Sequence, residues 1–78
     1  MPDLYILESC PYCRKVMDFL NGNDIEYNKL DISEPENYDN LLKIGGKSQV
    51  PFLDDEKKGV RMYESDDIID YFRNSMKE

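Results

Sequence analysis

"DLYILESCPYCRKVMDFLNG" (residues 3–22) holds both cysteines of a 78-residue chain at a change of hydrophobic rhythm. Leu4, Tyr5, Ile6 and Leu7 form a continuous apolar run, which predicts a strand over 3–9 buried on both faces. After Cys10 the pattern changes. Pro11 suits the first position of a helix, where its missing N–H would be unpaired anyway. Cys13, Val16, Met17 and Leu20 then recur at the spacing of one helical face. "NGN" (21–23) predicts the end of that helix, with Gly22 as its C-terminal cap. The cysteine pair therefore sits at a strand-to-helix junction.

Further along, "DIEYNKLDI" (24–32) alternates Ile25, Tyr27 and then Leu30, which predicts a second strand. "SEPENYDNLLKIGG" (33–46) predicts a second helix. Ser33 is its expected cap, Pro35 lies in the first turn, and Tyr38, Leu41 and Leu42 give an apolar stripe before the Gly45-Gly46 stop. "QVPFLDDE" (49–56) and "VRMYE" (60–64), joined by "KKG" (57–59), predict a hairpin over 50–64. Ser65 is the expected cap of a last helix, with Ile68, Ile69 and Phe72 on one face and Asp66 and Asp67 at the positive end of the helix dipole. The order β-α-β-α-β-β-α predicts an α/β fold, a single domain over 1–78. Strands separated by helices are expected to pair in parallel, and the hairpin adds antiparallel pairing to a four-stranded mixed sheet flanked by three helices.

Composition narrows the function. The formal net charge is −7, which argues against nucleic-acid partners and anionic membrane surfaces. No apolar run approaches the length of a membrane span, and "MPDLYILES" (1–9) has no features of a secretory leader, so a cytoplasmic setting is expected. In such a reducing compartment a close cysteine pair is catalytic or metal-binding more often than structural.

A closed zinc site needs four ligands, and this chain has two cysteines and no histidine. A structural disulfide closing so short a loop would stabilise by only about 2 kcal/mol before strain is subtracted. Redox chemistry fits the placement best. Cysteines at i and i+3 of a helix start can bridge. Cys10, at the N-cap, meets the free N–H groups and positive end of the dipole, which favour a thiolate, so it is the expected nucleophile. Cys13, one turn in on the apolar face, is expected to stay a buried thiol until a mixed disulfide needs resolving.

Three motifs in order, "CPYC" (10–13), "QVPFL" (49–53) and "YESDDIIDYF" (63–72), make the chain resemble a glutaredoxin of the dithiol CPYC type, a small oxidoreductase of thioredoxin fold. The resemblance spans essentially the whole chain. It implies glutathione as co-substrate, no bound cofactor and no metal. It also implies a monomer whose partners are glutathione and disulfide-bonded or glutathionylated proteins. By the same resemblance Pro51 is a cis-proline facing the cysteines, and the backbone of Val50 pairs with the cysteinyl part of glutathione like an added strand. Backbone N–H groups of Ser65 and Asp66 receive the γ-glutamyl carboxylate, and the Asp66 side chain receives the ammonium. "ES" (64–65) also looks like the γ-glutamyl-binding step of glutathione transferases. Tyr12 packs against the ligand backbone, and Lys47 matches a cation for the glycyl carboxylate.

One departure stands out. Many glutaredoxins carry Lys or Arg three residues before the first cysteine. Leu7 stands there, followed by Glu8. Two other readings compete. One is a small redoxin reduced by thioredoxin reductase and serving an enzyme such as ribonucleotide reductase. The other is an iron–sulfur carrier built from two chains and two glutathiones, against which Pro11 argues.

Overall fold

Leu4, Tyr5 and Ile6 lie in β1 (Asp3–Ile6), an inner strand of a four-stranded sheet ordered β2-β1-β3-β4. The computed structural model describes residues 1–76, so the last two positions of the expected 1–78 domain lie outside the described residues. The remaining elements are α1 (Pro11–Gly22), β2 (Asn28–Asp31), α2 (Pro35–Gly45), β3 (Phe52–Asp55), β4 (Val60–Tyr63) and α3 (Ser65–Met76). The β-α-β-α-β-β-α order and the mixed sheet agree with the sequence expectation.

Alternation along the two inner strands builds two core layers. Leu4 and Ile6 of β1 and Leu53 of β3 pack with Val16, Met17 and Leu20 of α1 and Ile68, Ile69 and Phe72 of α3. Tyr5 and Phe52 point the other way, to Leu41 of α2. Successive strand residues face opposite sides, so β1, covered on both faces, is apolar at Leu4, Tyr5 and Ile6, whereas β3 ends in the buried Asp54 and Asp55, which accept from Arg61 and the Tyr71 hydroxyl. The fully buried Leu and Ile side chains each contribute about 1.5–3 kcal/mol.

The pairing directions differ in part from expectation. β1 and β2 are parallel, but β3 runs antiparallel to β1, as does β4 to β3. The helix between β2 and β3 does not return the chain to a neighbouring parallel strand. β3 enters on the far side of β1, so its direction is set by tertiary packing rather than by the helix that precedes it.

Several boundaries also shift. The second strand is four residues long, because the chain turns at Asp24 (φ 55°) and Ile25 N–H bonds back to Leu20 O at 2.9 Å. Gly22 is the last residue of α1 rather than its cap. Asn23 caps it, its backbone N–H and its side-chain amide both donating to Phe19 O. At α2 the N-cap is Glu34, not Ser33. The Ser33 N–H instead donates to Asp31 Oδ1 at 2.9 Å, and Pro35 opens the helix. Leu42 is exposed, while Ile44 packs beside Leu41. Ser65 is the first residue of α3 and is buried. The carbonyl of Glu64, itself at φ 72°, accepts the first α3 bond from Ile68 N–H.

Candidate functional site

The strand-to-helix junction is made by a turn in which Cys10 N–H donates to Leu7 O at 2.9 Å. Cys10 keeps extended backbone angles (φ −82°, ψ 118°), and its carbonyl accepts from Arg14 N–H at 3.1 Å, the first bond of α1. The turn leaves Cys10 half-buried at the helix start, while Cys13 is 0% exposed against the apolar face of α1. Both are free thiols in this structure. Burial pushes the Cys13 thiol up from 9.0 to about 12. A hydrogen bond with the Cys10 side chain adds to the rise, and a backbone hydrogen bond at Leu7 offsets part of it.

Cys13 therefore keeps its proton at neutral pH. In the reduced protein at pH 8, iodoacetamide should modify Cys10 and spare Cys13, read by peptide mass mapping. Equal modification of both would contradict the asymmetry. Stability carries the same signature. The folded thiol stays protonated after the unfolded one ionises, so its contribution is intact below pH 9.0 and lost as pH rises toward about 12. Cys13→Ser should flatten that alkaline decline in denaturant melts.

Beside the pair lies an open cleft of about 450 Å³. One wall is Tyr12, between the two cysteines and 64% exposed. A second is Gln49, Val50 and Pro51, joined by a cis Val50–Pro51 bond. The third is Glu64, Ser65 and Asp66 at the start of α3. Of the residues singled out in the sequence, the cleft thus gathers Tyr12, Val50, Pro51, Ser65 and Asp66 next to the helix that carries Cys10 and Cys13. Gln49 and Glu64 are additional lining residues. Gln49 Nε2 donates to Glu64 Oε1 at 3.3 Å, linking the second wall to the third.

Lys47 does not line this cleft. Its ammonium stands over the Tyr63 ring, 5.6 Å from the centroid. The Tyr63 hydroxyl accepts from Lys47 N–H at 3.1 Å and donates to Lys47 O at 3.0 Å, which fastens the loop leading to Val50. Two ion pairs also stand near the cysteines. Glu8 pairs with Lys29 at 2.8 Å, and Lys15 pairs with Asp66 at 2.6 Å. All four side chains are half exposed or more, so each pair contributes little stability. Their effect is to occupy Asp66 and to offset the negative charge of Glu8.

Comparison with known proteins places this geometry. Residues 4–78 match the family described as the glutathione S-transferase N-terminal domain. Glutaredoxin 1 of Rickettsia prowazekii is 36% identical over 61 residues, a match covering 72% of this chain and 64% of that protein. The chain thus spans a little less than two thirds of the curated relative's length. Among solved structures, a glutathione S-transferase from the Antarctic clam Laternula elliptica superposes with a TM-score of 0.79 at 27% identity, covering 95% of this chain and 34% of that one. The solution structure of a glutaredoxin from Brucella melitensis gives a TM-score of 0.67 at 22% identity, covering 94% of this chain and 78% of that one. From its cysteine junction, its sheet order and these likenesses, the chain belongs to the glutaredoxin family, on the thioredoxin-like fold it shares with the N-terminal domain of glutathione S-transferases.

Proposed function

We propose that the protein is a glutathione-dependent thiol–disulfide oxidoreductase that reduces protein disulfides and glutathione mixed disulfides. The observation that carries this reading is the unequal cysteine pair, Cys10 half-buried at a helix start and Cys13 fully buried one turn in. It lies next to a cleft formed by Val50, Pro51, Ser65 and Asp66. The Cys10 thiolate attacks the sulfur of a glutathionylated target, forming a Cys10–glutathione disulfide and releasing the target as a thiolate. A second glutathione thiolate attacks that disulfide, leaving glutathione disulfide and restoring Cys10. With a protein disulfide, Cys10 first forms a mixed disulfide with the target. Cys13 then loses its proton and attacks the Cys10 sulfur, which releases the reduced target and leaves a Cys10–Cys13 disulfide. Two glutathiones reduce that disulfide and become glutathione disulfide.

In the cleft, the Val50 backbone pairs with the cysteinyl unit of glutathione and Tyr12 packs along it. The Ser65 and Asp66 N–H groups receive the γ-glutamyl carboxylate at the α3 N-terminus. Asp66 receives the ammonium after exchanging it for Lys15. The test is turnover of a glutathionylated peptide with NADPH, glutathione and glutathione reductase, beside the same reaction with thioredoxin reductase and no glutathione. Turnover should saturate in the first and be absent in the second. Turnover only in the second would assign the protein as a redoxin served by thioredoxin reductase instead.

A further inference from the structure

Asp66 belongs to two depressions at once. It lines the cleft beside the cysteines, and it also lines a groove of about 500 Å³ between α1 and α3, with Lys15, Phe19, Ile69, Asp70 and Arg73. Its carboxylate therefore stands between the two. From the groove side the Lys15 ammonium already holds it, at 2.6 Å. The neighbouring cations are placed differently. Arg73 pairs with Asp70 at 3.1 Å and stands over the Phe19 ring, 5.5 Å from its centroid. Lys29 pairs with Glu8, and Lys47 stands over Tyr63. Arg14, next to Lys15 on α1, is exposed and has no ion pair among the described residues.

We propose that Lys15 is a tethered competitor for the ammonium position at Asp66, and so sets how far the cleft prefers γ-glutamyl ligands over the same ligands without the ammonium. The inference rests on the Asp66 assignment made above and adds the residue that tunes it. Lys15 offers Asp66 the group that the γ-glutamyl end of glutathione offers, a primary ammonium. A ligand ammonium arriving at Asp66 either displaces Lys15 or shares the carboxylate with a like charge beside it. Either way its hold is weakened. The side chains of Lys15 and Asp66 are 55% and 78% exposed, so the pair can open without disturbing the core. Opening an exposed pair of this kind corresponds to a factor of about 1.4 to 5. Lys15 thus makes the cleft a weaker and more readily released site than Asp66 alone would form.

The test uses two substrates, a glutathionylated peptide and the same peptide carrying deaminated glutathione, which lacks the α-ammonium. The quantity read is the preference, kcat/KM for the first divided by kcat/KM for the second, in which changes of Cys10 reactivity cancel. Methionine keeps the helix preference of lysine, so Lys15→Met should melt near the wild-type temperature. At low salt it should raise the preference by about two- to fivefold, with the gain shrinking as salt is added. Lys15→Arg, which keeps a cation within reach of Asp66, should stay near wild type. Arg14→Met, which changes the local field but vacates no carboxylate, should shift the preference far less than Lys15→Met. Asp66→Asn should lower the preference, and in that background Lys15→Met should no longer raise it. An unchanged or lower preference in Lys15→Met would overturn the inference. So would a rise that persists in the Asp66→Asn background, because that marks a general field effect. If Asp66→Asn leaves the preference unchanged, the ammonium assignment of Asp66 falls together with the inference. If Asp66→Asn lowers it and Lys15→Met does not raise it, the inference alone falls. No turnover of the glutathionylated peptide by the wild-type chain would remove the glutathione reading as a whole.

Discussion

Cys13→Ser is expected to keep removal of glutathione from a glutathionylated peptide within about threefold of wild type while losing at least about a hundredfold in reduction of a protein disulfide. Cys10→Ser should lose both. The expectation follows from position. Cys10 lies half-buried at the helix start, and Cys13 is sealed on the inner face of α1 with its thiol pushed up to about 12. A thiol so held is a poor first attacker and is protected from stray oxidation. It becomes useful when a mixed disulfide on Cys10 places a sulfur one helical turn away. Serine is close to isosteric, so melting temperatures near wild type would show that the split is chemical rather than structural. Comparable losses of both reactions in Cys13→Ser would contradict the division of labour.

Gly45→Ala should destabilise the fold by about 1–3 kcal/mol, the range for overpacking a tight site. A β-carbon on Gly45 would overlap the Tyr63 hydroxyl and press on the Phe52 ring. Tyr63 cannot swing away cheaply. Its ring packs against Phe52 at a tilt of 44° with centroids 4.6 Å apart, and its hydroxyl holds both backbone groups of Lys47. Gly45 has no positive φ, so in open space alanine would gain about 0.5–1 kcal/mol of helix preference, and the contact must outweigh it. For a domain this size the melting temperature should fall by roughly 4–8 °C per kcal/mol. Tyr63→Phe alone loses the two Lys47 bonds, about 1–3 kcal/mol together. In the double variant the two losses should fall short of their sum, because the phenylalanine no longer offers the hydroxyl that the β-carbon strikes. A Gly45→Ala variant as stable as wild type would remove this account of the Gly45–Tyr63 contact.

How much of this was legible in the sequence depends on the distance over which each feature is decided. The junction at Cys10 was readable because Leu4 to Leu7, Pro11 and the Cys13–Leu20 stripe are local signals that agree. The double-sided burial of β1 followed from a run with no polar alternation, while that of β3, whose second half is Asp54 and Asp55, did not. The direction of β3 was not readable. It depends on which edge of β1 the chain reaches after α2, and no residue in 33–50 encodes that choice locally. Caps misread for a related reason. Ser33 and Ser65 both look like cap residues, but Asp31 engages Ser33, and α3 starts one residue earlier than the Ser65 pattern implied. At Gly22 the Asn23 amide supplied the closing bond, so no left-handed glycine was needed there. At Gly46 the expected stop took the left-handed form, φ 81°.

In the cleft, Val50, Pro51, Ser65 and Asp66 were found by motif. Gln49 and Glu64, the adjacent positions, line it as well, and only the fold reveals that Gln49 reaches across to Glu64. Lys47 shows the limit of carrying a role over by spacing. Its distance in sequence from Pro51 fits, but Tyr63, sixteen residues on, holds its backbone and offers its ring to the ammonium.

The account stands on Cys10 being the sulfur that bonds first, and trapping the adduct tests this most directly. The reduced Cys13→Ser protein should be treated with glutathione disulfide and the product mapped by peptide mass spectrometry. One glutathionyl group on Cys10, removed again by excess glutathione, is the predicted result. No adduct under conditions that oxidise the wild-type pair, or adduct formation on Cys13 in the reciprocal Cys10→Ser protein at a comparable rate, would contradict it.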